Sequence, residues 1–261
     1  PVISFRVDGS PPKRSRRSIK PENLELDQSI LSQRRDHDSY PELSHVGLIF
    51  GLTMIYRGLD PEPDAEARRS QKPDEFQGFL FEDASNLSLV LSRLLKKPAV
   101  KKEILGRLRD FYPLVEDLGL DTSGGLVQTF FHEKGLHDLI PATRLSDGTL
   151  RYLCLLAVLC DPEPLPVICI EEPELGLHPD IIPEVAKLLV EASSRSQLFV
   201  TTHSDVLIDA LSDTPEAVVV CEKVDEATQL RRLDAEKLNP WLEKYRLGEL
   251  WSRGEIGGNR W

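Results

Sequence analysis

The chain has 261 residues, 40% hydrophobic and 29% charged, which suffices for one large domain or a core carrying an inserted lobe, and no apolar run approaches the roughly 20 residues that span a bilayer. A formal net charge of −11 argues against a surface that coats nucleic acid throughout and confines any polyanion contact to a local basic face. Four cysteines (Cys154, Cys160, Cys169, Cys221) stand singly in apolar runs without a CxxC pair, so they read as buried thiols of a cytoplasmic protein with no membrane segment, not as a disulfide or metal framework.

The only methionine is Met54, and Pro1 is followed at once by the strand-like VISFRV, so the chain is expected to be a piece of a longer polypeptide. Pro1 to about Lys20 reads as one strand and then a polar, basic loop, SPPKRSRRSIKP. Helix-compatible segments broken by RRDHDSYPE follow to about Gly58, and Leu59 to Pro73 reads as a Pro-, Asp- and Arg-rich loop that buries little. Next come two tandem amphipathic helices. Leu87, Val90, Leu91, Leu94 and Leu95 form one stripe, and Val100, Ile104, Leu105, Leu108 and Phe111 form a second after Pro98. GGLVQTFFHEKG alternates as a strand between glycine turns.

From Thr143 the pattern becomes α/β: a capped helix Leu150 to Cys160, a strand Val167 to Ile170, a helix from about Asp180 to Ser193, a strand Leu198 to Thr202, a short helix after Ser204 and a strand Ala217 to Cys221. Apolar strands alternating with helices imply a parallel sheet covered on both sides. The tail is one more helical piece with an aromatic end, and there are no internal repeats.

Two stretches carry chemistry. VICI runs straight into Glu171, Glu172 and Glu174 and then LGLHP. Ligands of an open parallel sheet lie beyond the carboxyl ends of its strands, where Glu171 and Glu172 stand on one strand and His203 and Ser204 on the next. Adjacent carboxylates repel and call for a cation or proton between them. A Mg²⁺ carried by a phosphate ligand supplies the cation and leaves the second carboxylate to orient and deprotonate a water. The plainer reading of EEPE is a helix N-terminus whose dipole favours acids, with Pro179 opening the helix. In TRLSDGTLRYL, Ser146 is placed to cap a helix beginning near Thr149. The amides of Asp147, Gly148 and Thr149 would then form a nest for phosphate, with Gly148 letting a ligand approach the backbone. An ordinary N-cap accounts for Ser146 equally well.

The order of these parts, a Ser and Gly nest opening an apolar helix, then hhhhEE, then LGLHP, then a strand ending in TTHS, resembles the nucleotide-binding heads of the ABC class, in particular the RecF, SMC and OLD-like group of AAA-family ATPases. The resemblance is strong from Thr143 to Cys221 and looser over the helical lobe before it. It implies an α/β fold with a mostly parallel sheet flanked by helices, of the P-loop NTPase kind, and a helical lobe. It also implies a division into residues 1–36 as the remnant of an N-terminal ATPase lobe, 37–142 as a helical lobe, 143–222 as the ATPase core and 223–261 as a helical tail.

Carried over by position, Leu145, Ser146, Asp147, Gly148 and Thr149 look like the signature motif that reaches the γ-phosphate held by the opposite subunit. Glu171 looks like the Mg²⁺-associated Walker B residue, Glu172 like the catalytic base, Glu174 to Pro179 like the D-loop and His203 like the switch histidine. Gln33 is the candidate for the glutamine loop, ahead of Gln77. Glu171 stands where Asp is commoner, and His178 where the D-loop often has Asp. No GxxxxGK[ST] occurs, so the phosphate cradle is expected from a further segment or another chain, and these residues alone are expected to hydrolyse little ATP. The resemblance implies ATP and Mg²⁺ as cofactors, a homodimer through the nucleotide face, a separate effector protein, and a role in DNA repair or anti-phage defence.

Two other functions suit the same residues: a nucleotide sensor or scaffold that does not hydrolyse, and a metal-dependent nuclease using Glu171, Glu172, Glu174, His178, His203 and Asp205. KRSRR (Lys13 to Arg17) and the set Arg93, Lys96, Lys97, Lys101, Lys102, Arg107 and Arg109 concentrate the positive charge. A solvated face is the plain reading; contact of Lys96, Lys97, Lys101 and Lys102 with a DNA backbone is the functional one. Trp241, Tyr245, Trp251 and Trp261 read as packing anchors.

Overall fold

The computed structural model of the protein describes residues 3–5, 13–15, 25, 27–33, 37–38, 40–59, 65–73 and 78–258. The chain divides into two compact units, Pro1–Gly51 and Leu52–Trp261.

In the first unit, β1 (Ile3–Phe5) pairs antiparallel with β2 (Lys13–Ser15), so part of the expected basic loop is a second strand. Two helices follow, α1 (Ile30–Gln33) and α2 (Pro41–Gly51), the latter opened by Pro41, whose missing N–H costs nothing at a first helical position. A Cβ at Gly47 would lie 3.0 Å from the Leu31 carbonyl oxygen, so the glycine permits the close approach of these helices.

The second unit begins with β3 (Thr53–Tyr56). Next come α3 (Leu87–Leu95) and α4 (Pro98–Phe111), as the two leucine-rich stripes require, with Leu87, Leu91, Leu94, Ile104 and Leu108 fully buried. The apolar periodicity then changes: β4 (Val115–Ser123), β5 (Leu126–Glu133) and β6 (Ile140–Pro141) form an antiparallel sheet in the order β4-β5-β6. Gly124 and Gly125, both at positive φ, make the β4–β5 turn. Val115 and Leu118, which extend a helical reading by spacing, are instead the buried positions of β4.

α5 (Asp147–Leu159) starts three residues before the expected helix and is buried without a break from Tyr152 to Leu159. A helix apolar on all sides belongs at the centre of a core, and Leu153→Ala there would cost about 2–5 kcal/mol. β7 (Val167–Glu171), α6 (Ile182–Ala192), β8 (Gln197–Thr201) and α7 (Asp205–Asp209) follow as the spacing predicts. β3, β7 and β8 form a parallel sheet with β7 in the middle. Its rows Met54–Ile168–Leu198 and Tyr56–Ile170–Val200 join one core with α3, α4, α5 and α6. The alternate row, Ile55–Cys169–Phe199, faces the other way, and Phe199 is 54% exposed. One face of the sheet is therefore far better covered than the other, where uniformly apolar strands predict burial on both.

The last expected strand does not join this sheet. β9 (Val219–Val224) pairs antiparallel with β10 (Ala227–Arg232) around Asp225 and Glu226, both at positive φ. That hairpin leaves Cys221 exposed, against the expectation for all four thiols, while Cys154 and Cys160 are buried and Cys169 half-buried. The tail forms α8 (Ala235–Leu242) and α9 (Leu247–Ser252), and a second small core joins Ile208, Val220, Leu233, Leu247, Leu250 and Ile256. No helix of the described residues is long and apolar enough to cross a membrane.

Candidate functional site

The carboxyl end of β7 is organised by backbone geometry before any side chain acts. The Glu172 amide donates to the Thr201 carbonyl at 2.9 Å, carrying the β7–β8 ladder one residue past the strand. Glu172 then takes φ +42°, left-handed and uncommon for a residue with a long side chain. Turns closed by Leu175 N–H on Glu172 O and Leu177 N–H on Glu174 O lead the chain away from the sheet. The result sets the Glu172 carboxylate beside the imidazole that follows β8, with His203 Nε2 3.6 Å from Glu172 Oε1. Both side chains reach solvent, His203 at 59% and Glu172 at 33% exposure. The separation exceeds a hydrogen bond.

Glu174 fastens the His203 segment. Its Oε1 accepts from the Thr202 hydroxyl at 2.5 Å and from the His203 amide at 3.0 Å, while its enclosed Oε2 has no hydrogen-bond partner among the described residues. Thr202 Oγ1 in turn accepts from the Ser204 amide at 3.0 Å, and Ser204 caps α7 through the Leu207 amide at 3.2 Å. The strand end, the loop after it and His203 are thus one hydrogen-bonded piece.

His178 and Asp205 serve helix starts instead. The Asp180 amide donates to His178 Nδ1 at 3.3 Å, and the Val206 amide to Asp205 Oδ1 at 2.8 Å. Among the described residues no three His, Cys, Asp or Glu side chains assemble into a group that could hold a metal, so the six-ligand nuclease cluster does not form. A single Mg²⁺ of the kind carried in by a nucleotide asks less of the protein: one or two carboxylate oxygens, with water and phosphate completing its shell. Glu171, exposed at the strand end, and Glu172 beside it supply hard oxygen donors that fit that demand.

The LSDGT loop lies next to this piece in the same unit. Ser146 caps α5: its Oγ accepts from the Thr149 amide at 3.1 Å and pairs with Thr149 Oγ1 at 2.7 Å. Of the three expected nest amides, Thr149's is therefore spent on the cap, and those of Asp147 and Gly148 remain at the first turn, where no helical carbonyl can reach them. Gly148 has an additional reason to be glycine. A Cβ there would lie 2.9 Å from the Gly176 carbonyl oxygen, so it is the seat of the ELGLHP loop against α5. Arg151 donates to the Leu175 carbonyl, and Gly176 at φ +71° could not carry a Cβ without meeting that guanidinium at 2.8 Å. Leu59, Arg151, Leu155, Ile170, Glu171, Glu172 and Pro173 lie together where the two elements meet.

The segment from Leu59 to Pro73, which composition presents as a solvated loop, buries Leu59, Ala67, Arg68 and Gln71. Gln71 exchanges both backbone hydrogen bonds with Val127 at 2.8 Å and accepts from the Leu89 amide at 3.3 Å. Arg68, in a 3-10 turn at Glu66–Arg68, donates to Leu145 O at 2.7 Å and Ala142 O at 3.4 Å and pairs with the Asp147 carboxylate. No spacing rule announces an arginine whose partners lie 74–79 residues away; the only signal is an arginine beside alanine in a run otherwise made of loop residues.

The family described as "AAA domain, putative AbiEii toxin, Type IV TA system" matches residues 5–209, spanning the LSDGT loop, the carboxylate strand and His203. The chain belongs to this AAA-domain family. No curated protein matches it. Among solved structures it is similar to the Smc head domain with a coiled coil and joint from Pyrococcus yayanosii (20% identity, 56% of this chain and 29% of that one, TM-score 0.43). It is also similar to the Smc head domain with an extended coiled coil bound to the C-terminal domain of ScpA from Pyrococcus furiosus (18%, 62% and 44%, TM-score 0.44). A third is an SmcHead bound to the C-winged helix domain of ScpA (14%, 71% and 56%, TM-score 0.48). The chain spans less than half of the length of the first two.

Several other candidate residues of this AAA domain are tied up locally. Gln33, in the first unit, accepts from the Glu25 amide at 2.7 Å and donates to the Glu25 and Gln28 carbonyls. Gln77 lies outside the described residues, as do Arg16 and Arg17 of the basic loop and Trp261. In the basic set, Arg93 grips Asp161 with both arms, Lys97 pairs with Glu163, Lys101 with Asp117, and Arg107 with Glu103 and Glu191. Much of that positive charge is therefore already neutralised within the unit. Tyr245 and Trp251 pack on the second small core as anchors, whereas Trp241 is 48% exposed.

Proposed function

We propose that this AAA domain contributes the signature and carboxylate portions of an ABC-class ATPase site, at which two heads sandwich ATP and Mg²⁺. The observation that carries the reading is the pairing of Glu172 with His203 across two parallel strand ends, at 3.6 Å and open to solvent. Glu172 would orient a water and take its proton, and His203, 3.6 Å from the carboxylate, would hold the same water from the neighbouring strand end. Glu171 is the residue that would hold the Mg²⁺, which when bound neutralises charge on the phosphate oxygens. The amides of Asp147 and Gly148 suit the terminal phosphate of a nucleotide held by the opposite head. Because no GxxxxGK[ST] occurs in these 261 residues, the phosphate cradle comes from a further segment or chain. The setting we favour is action on or near DNA, in repair or anti-phage defence.

The test is ATP turnover by the complete polypeptide. Glu172→Gln should lower kcat by about a hundredfold or more while ATP is still bound. Turnover at the parental rate would overturn the assignment of the base. A parental protein that binds ATP yet never hydrolyses it would support a sensor or scaffold instead. Residues 1–261 alone should show little hydrolysis, and robust turnover by them would refute the cradle's external origin.

A further inference from the structure

The LSDGT loop contains a contradiction. It opens α5 with amides that attract anions, yet its first helical residue is Asp147, whose side chain is 66% exposed. A carboxylate there repels the phosphate that the amides of Asp147 and Gly148 would hold. The structure resolves the conflict with Arg68, whose side chain is only 5% exposed and whose guanidinium pairs with Asp147. The same guanidinium donates to the carbonyls of Leu145 and Ala142, at 2.7 and 3.4 Å, so it is anchored on three points of the segment leading into α5. A rigid planar fork can serve several acceptors at once, which a lysine ammonium on a flexible stem does less well. Buried and committed in this way, Arg68 is badly placed to touch a phosphate itself. Its effect reaches an incoming anion through Asp147 and the loop.

We infer that Arg68 is a positioning residue for polyphosphate recognition by the LSDGT loop: it cancels the charge of Asp147 and fixes the Ala142–Leu145 carbonyls, so that the first-turn amides meet phosphate without an opposing carboxylate. This rests on the nucleotide reading above and adds to it the way in which the loop is made receptive. It also gives the turn at Glu66–Arg68 a function, because Gln71 pins that segment to β5 and α3 and so holds the guanidinium in place.

The experiment uses the complete polypeptide carrying Glu172→Gln, which is expected to hold ATP without turnover, and measures by light scattering the ATP concentration that gives half-maximal dimer. Arg68→Met should raise that concentration about tenfold or more, and adding Asp147→Asn should restore it to within about threefold of the starting value. Arg68→Lys, which keeps the charge and loses the fork, should fall between. A brace with no electrostatic role would leave the double variant as impaired as Arg68→Met, and that result, or no effect of Arg68→Met, would overturn the inference. If Arg68→Met loses cooperative unfolding, Arg68→Lys decides: it should raise the half-saturating concentration and Asp147→Asn added to it should bring the value back, and no rise or no recovery refutes the role. Absence of any ATP-dependent dimer in the starting protein would sink the nucleotide reading and this inference with it. A dimer indifferent to all these changes would sink this inference alone.

Discussion

The LSDGT loop and the carboxyl end of β7 occupy the same unit and are held in opposite ways. The loop is clamped from within: Arg68 is buried on its carbonyls and on Asp147, Ser146 closes the helix cap, and Gly148 is seated on the Gly176 carbonyl. At the strand end the backbone is braced through Glu174, yet the side chains of Glu172 and His203 stand 3.6 Å apart and open to solvent. The difference suits the chemistry proposed for each. Donors that recognise a charge gain most when fixed in advance, since no reorganisation is then needed when the ligand arrives. Groups that pass a proton need room for a water and access to bulk solvent.

If the loop is the rigid half, its supports should matter most for stability. Arg68→Met removes a charged donor from buried carbonyls and should cost about 2 kcal/mol, less than a fully buried ion pair because Asp147 remains solvated, as read from urea unfolding. Gly148→Ala comes next. Alanine in a helix normally gains up to about 1 kcal/mol over glycine, but here the new Cβ meets a backbone carbonyl oxygen at 2.9 Å, so a net loss of about 1 kcal/mol is expected. A stabilised Gly148→Ala protein would show that the ELGLHP loop is not seated on α5.

The open half should respond in the other direction. Glu172 occupies φ +42°, so Glu172→Gly should be neutral or raise stability by up to about 1 kcal/mol while removing turnover. Loss of stability would remove the argument that strain is stored at this position for function.

The smallest effect concerns the thiols. Burial pushes Cys154 and Cys160 up to about 12 from an ordinary 9.0, so their neutral form is favoured in the folded chain. That contribution to stability is complete below pH 9 and is lost as pH rises from 9 towards 12, which alkaline unfolding can follow. At pH 8 a disulfide reagent should label Cys221, exposed on β9, at once, and reach Cys154 and Cys160 only on unfolding. Prompt labelling of all four would contradict the packing of α5.

Sequence reading recovered α3 to α7 where periodicity was strong and each element stayed within one pattern. It failed where short strands lacked a distinctive period. β3 is four residues long, β4 shares apolar spacing with the helix before it, and β9 turns back on Asp225 and Glu226, a pair without the glycine that usually announces a tight hairpin. The placing of Glu171 and Glu172 at one strand end and of His203 after the next was legible because the ends of parallel strands converge by topology. Arg68 was not, because its importance comes from carbonyls and a carboxylate brought together only by the tertiary fold.

The central claim, that the clamped loop of one head completes the open carboxylate end of another, is tested most directly by mixing two inactive variants of the complete polypeptide, Ser146→Arg and Glu172→Gln. Each alone should be inactive. In the mixture, heads that pair at random should place an intact loop opposite an intact Glu172 at one site of each mixed dimer, restoring about a quarter of parental ATP turnover. A mixture as inactive as its components would contradict the account.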